Sequence, residues 1–61
     1  MTNEERVLQT IKNRGVVTHA YIMRNMMLGW SATETILVNL VNAGLISERD
    51  EKGTHYYIGD L

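Results

Sequence analysis

Residues 30–59 read WSATETILVNLVNAGLISERDEKGTHYYIG, and the fold turns on how this stretch divides. Its first half has the period of a helix. Thr33, Leu37, Leu40 and Gly44 fall on one face at about 100° per residue, with Ile36 and Val41 on the flanks. Ser31 followed by Glu34 fits a capping box, so the spacing predicts a helix from Ser31 to Ala43, stopped by Gly44. The period then changes. Leu45 to Arg49 and Thr54 to Ile58 read as two strands, with DEKG as the turn and Gly53 at its left-handed position. On the second strand Tyr56 and Ile58 share one side and Tyr57 takes the other, which leaves one tyrosine exposed.

Upstream, Thr2 and Glu5 form another capping pattern ahead of Val7, Leu8 and Ile11 at helical spacing. Lys12 and Arg14 suit the negative end of that helix, and Gly15 stops it, giving a helix over residues 3–14. Val16 and Val17 are β-branched and read as one short strand. Thr18 is the expected cap of a second helix, with Ile22, Met26 and their neighbours Met23 and Met27 as core filling. Gly29 is expected to end it in a left-handed conformation. Trp30 reads either as a lid over the turn or as an interface anchor.

A chain of 61 residues makes a single domain over 1–61. Such a chain buries roughly 60% of its unfolded surface. It has no cysteine to cross-link it and no clustered histidines for a structural metal, so a packed core, dimerisation or both must stabilise it. The apolar runs are too short to span a membrane, and MTNEER is acidic where a signal peptide is basic, which implies an intracellular, cytoplasmic chain. Six Lys/Arg against seven Asp/Glu give a net charge of −1, which withholds the support a basic domain lends to nucleic-acid binding. Catalysis finds no footing: there is no glycine-rich phosphate loop, and His19 and His55 lie far apart with no carboxylate pattern. A deep pocket is not expected at this size. Neither enzyme activity nor a cofactor or metal is expected.

The predicted order is helix, strand, helix, helix, strand, turn, strand. With ILVNLVNAGLISERDEKGTHYYI (36–58) as its most telling segment, the chain resembles the winged helix-turn-helix domains of bacterial and archaeal regulators. In that resemblance Leu40 and Leu45 match core leucines, Gly44 the corner glycine and Gly53 the wing turn. It covers nearly the whole chain and implies a mainly α fold with a small β-hairpin. Two departures stand out. NMMLGWS (25–31) is about two residues longer than the turn of many such repressors, a spacing similar to winged-helix domains of replication proteins, including archaeal replicative helicases. The helix from Ser31 to Ala43 also carries no lysine or arginine, only Glu34. The Z-DNA-binding branch is disfavoured, because the wing has no proline and this helix lacks that branch's lysine.

The resemblance makes Ser31, Thr35, Val38, Asn39 and Asn42, opposite the core face, the counterpart of a base-reading surface. Asparagine can bond adenine at two points, and threonine or valine can meet a thymine methyl. Phosphate contacts then fall to Arg24, Arg49 and Lys52, with Lys12, Arg14 and His19 as further candidates. The function implied is a small transcriptional regulator that places this helix in the major groove of double-stranded DNA and a 45–58 wing on flanking DNA. It would act as a homodimer, in a virus or mobile element where a minimal one-domain chain is plausible. The alternative is a protein-interaction module of transcription or replication, using Trp30, Val38 and a tyrosine.

Overall fold

The computed structural model describes residues 1–59. Helix α1 spans Asn3–Arg14, β1 Val16–Thr18, α2 His19–Met26, α3 Trp30–Asn42, β2 Ser47–Glu51 and β3 Thr54–Ile58. The element order is the expected one: three helices and a small antiparallel sheet in the order β1-β3-β2.

The first capping box forms as read. Glu5 N–H donates to Thr2 Oγ1 at 3.1 Å, and Thr2 N–H donates to Glu5 Oε1 at 2.9 Å. At the other end Gly15, at φ +86°, donates its N–H to Ile11 O at 2.7 Å and turns the chain into β1. Thr18 then serves two elements. It closes β1 opposite Tyr56 and caps α2, its Oγ1 accepting from Tyr21 N–H at 3.1 Å. No loop separates strand from helix.

The core gathers one or two side chains from every element except β2. Val7 and Ile11 of α1, Val17 of β1, Ile22 of α2, Leu37 and Leu40 of α3, Ile46 and Tyr57 are buried together. Thr33 is buried among them, and its hydroxyl donates to Gly29 O at 2.9 Å, which satisfies the group inside the core. Of the α3 face predicted from periodicity, Thr33, Leu37 and Leu40 are packed, while Gly44 lies beyond the helix and is exposed.

Several local expectations are corrected. Helix α3 begins at Trp30 with Gly29 as its cap, and no side chain caps it. The Ser31–Glu34 box does not form, because Ser31 already lies inside the helix and Glu34 turns toward His19. Gly29 sits at φ −70°, and the left-handed residue that ends α2 is Met27 at φ +54°. Met27 is exposed rather than core, while Met26 packs on the core. At the end of α3, Leu45 N–H donates to Leu40 O and Gly44 N–H to Val41 O, both at 3.0 Å, with Gly44 at φ +76°. This paired pattern rotates the chain so that Ile46, not Leu45, enters the core. The first hairpin strand consequently starts at Ser47, two residues later than Leu45.

The hairpin loop is shorter than DEKG. Glu51 pairs with Thr54, leaving Lys52 and Gly53 as the turn, both at positive φ (+51° and +79°). That pair of conformations matches the right-handed twist of the strands it joins.

Candidate functional site

Helix α3 shows its outward strip to solvent. Ser31, Thr35, Val38, Asn39 and Asn42 are all exposed, as the helical period requires of positions opposite Thr33, Leu37 and Leu40. The side-chain amides of Asn13 and Asn25 are tied to Gln9 and to the Tyr21 carbonyl. No such bond among the described residues engages Asn39 or Asn42. Both amides are free to bond a partner.

The cationic candidates lie on other elements than this strip. Arg24 is exposed on α2, and Lys52 stands at the hairpin tip. Arg49 pairs across the ladder with Tyr56 and so points to the sheet face opposite Glu48 and Asp50, where Arg49 Nε lies 4.0 Å from Glu51. Arg14 is spent on Tyr21, its guanidinium 4.3 Å above the ring. The candidate phosphate contacts are thus dispersed, while the α3 candidates are brought together.

Between α2, α3 and the hairpin lies a half-open groove of about 510 Å³, which the size of the chain did not lead one to expect. Met23, Val38 and Val41 supply its apolar surface and Trp30 one aromatic wall. Trp30 is 59% exposed, so it is no core lid; its indole tilts over the His19 ring with centroids 4.8 Å apart. His19 Nε2 is buried without a hydrogen-bond partner and stands 3.7 Å from Glu34 Oε1.

The opposite wall belongs to the hairpin. Register puts Glu48 opposite Tyr57 and Asp50 opposite His55, all four on the same face of the sheet. His55 bridges the carboxylates: Nδ1 lies 2.7 Å from Asp50 Oδ1 and Nε2 lies 2.8 Å from Glu48 Oε1. A protonated imidazole donates through both nitrogens and satisfies this geometry. The Asp50 bond is the largest influence and, with Glu48, raises the His55 pKa above its usual 6.5, against a partial opposing effect of burial. Burial first, and then the charges of Glu34, Glu48 and Asp50, push the Tyr57 phenol above its usual 10.0. Three carboxylates thus stand around the groove against one imidazole drawn toward its protonated form, which leaves its charge negative on balance.

The sequence reading missed these carboxylate partners because they act across strands. Only the strand register places Asp50 opposite His55; the spacing Glu48-x-Asp50 with His55 across a two-residue turn was the available signal. Among the described residues no helix is long and apolar enough to cross a membrane. No model of a known protein family matches the chain, and no curated protein sequence matches it.

Proposed function

We propose that the chain is a winged helix-turn-helix domain that binds double-stranded DNA as a small transcriptional regulator. The element order, the β1-β3-β2 sheet and the twisted two-residue hairpin support the fold reading. The observation that carries the function is the outward strip of α3. It offers two uncommitted asparagine amides, two small hydroxyl side chains and one exposed valine, with no carboxylate among them. That set suits adenine edges and thymine methyls in a major groove. Arg24 on α2 and Lys52 at the hairpin tip are the exposed cations assigned to the DNA backbone; Arg49 serves DNA only where it reaches past the sheet edge. So few anchors make a monomer weak, and the domain binds as a homodimer on a two-fold site.

A second reading rests on a separate observation. The hairpin face that borders α3 carries Glu48 and Asp50, where phosphates running beside the helix would meet negative charge. A protein partner in transcription or replication, docked through Trp30 and Val38, meets no such repulsion.

Alanine variants distinguish the two. In the DNA reading, Asn39→Ala and Asn42→Ala each remove about 1–3 kcal/mol of discrimination between bases. Arg24→Ala weakens all duplexes alike and flattens the salt dependence. Binding to selected and random duplexes, measured for each variant, checks both; an Asn39→Ala/Asn42→Ala double variant with unchanged sequence preference sinks the role assigned to α3.

A further inference from the structure

We propose that the groove between α2, α3 and the hairpin binds a small organic cation, an ammonium or guanidinium carried on an apolar body. Three observations converge on that chemistry. The groove holds about 510 Å³, within the range of sites that enclose a drug-sized ligand. Its surface is mainly apolar, with Met23, Val38 and Val41 available to cover a hydrocarbon or aromatic body. Its charge is negative on balance: Glu34 and Glu48 line it, Asp50 stands behind His55, the three carboxylates outnumber the His55 imidazole they surround, and no lysine or arginine is among the lining residues.

The aromatic wall reinforces the choice. One face of the Trp30 indole is occupied by His19, and the side chain is otherwise 59% exposed. A cation lying against the open indole is attracted by the ring and by Glu34, whose carboxylate makes no hydrogen bond among the described residues, and more weakly by Glu48, whose Oε1 is shared with His55. A free ligand fits better than a single lysine or arginine from a partner protein, because one side chain leaves most of this volume to water. The proposal does not rest on the DNA reading, since the site contains its own ligand chemistry, although Val38 and Asn42 belong to both surfaces.

Trp30 is the only tryptophan, so its emission reports on the groove directly. The folded chain is titrated, without nucleic acid, with phenethylammonium, with its neutral analogue phenylethanol and with the anion phenylacetate at fixed ionic strength. The cation is expected to change Trp30 emission saturably at concentrations where the other two do not. Glu34→Gln and Glu48→Gln are each expected to weaken the cation by roughly threefold, the size of a partly exposed charge contact. Ala20→Arg, at an exposed position on the groove wall, adds a fixed positive charge while leaving every carboxylate in the sequence and is expected to abolish the response; circular dichroism confirms folding of each variant. Equal responses to the three probes, or unaltered binding by Ala20→Arg, overturn the proposal. An acetylated Leu-Arg-Leu amide that binds more tightly than phenethylammonium also overturns it, in favour of a protein segment. DNA binding can fail with every one of these results intact.

Discussion

Gly59 has no room for a side chain: a Cβ there would stand 2.8 Å from the Ile11 carbonyl oxygen and 2.9 Å from Ile11 Cγ2. Its N–H donates to Gly15 O at 2.9 Å, so the end of β3 is laced against the turn that ends α1. Gly59→Ala is expected to cost about 1–3 kcal/mol by overpacking. For a domain of this size that lowers the melting temperature by roughly 5 °C or more, checked by thermal denaturation. Nothing in the sequence distinguished this glycine, because the contact joins residues far apart in the chain. His55 is a second case of the same kind. Its folded pKa is raised above 6.5 by Asp50 and Glu48, so its contribution is fully present below the unfolded value and disappears as pH rises through the folded one. Thermal melts at rising pH are expected to show the wild type losing stability above pH 6.5 relative to His55→Gln, which lacks the titrating ring. Parallel curves for the two proteins contradict the bridge.

At the scale of the element, local signals were reliable where local bonds decide. The Thr2–Glu5 box forms, and α1 runs over the predicted residues. The equivalent Ser31–Glu34 pattern fails because the neighbourhood of α3 decides its start: Trp30 stacks on His19, and Glu34 faces the same ring. One extra residue at the front of the helix follows. The displaced left-handed residue has a similar cause, since Leu28 N–H donates to Met23 O and Leu28 packs on the core, leaving Met27 to make the turn. The hairpin was legible from Gly53 alone, but not that Lys52 shares its positive φ. An L side chain in that conformation costs roughly 1 kcal/mol, and asparagine tolerates it better. Lys52→Asn is therefore expected to raise the melting temperature by a few degrees, at about 4–8 °C per kcal/mol. If the tip contacts phosphate, the same variant weakens DNA binding despite its greater stability, as melting and anisotropy measured together would reveal.

Over the whole molecule, hydrophobic period carried most of the fold. Val7, Ile11, Ile22, Leu37 and Leu40 were readable as core from their spacing, and each is buried. Ile46 replaced Leu45 because the corner geometry after Gly44 sets the phase of the following strand, which periodicity does not report. The outward strip of α3 was legible for the same reason the core was, being its complement. The groove was not, because it is assembled from two helices and a hairpin whose sequence positions are far apart. A net charge of −1 leaves the DNA reading dependent on a few flanking cations, and that dependence has a measurable signature. Anisotropy of a labelled random duplex is predicted to rise with protein up to about 0.1 mM at low salt, the range of non-specific binding. A fourfold increase in salt should then weaken binding by roughly two orders of magnitude, as expected for about four neutralised phosphates. No change in anisotropy at the lower salt, in a chain whose circular dichroism shows it folded, contradicts DNA binding and leaves the protein-docking reading of α3.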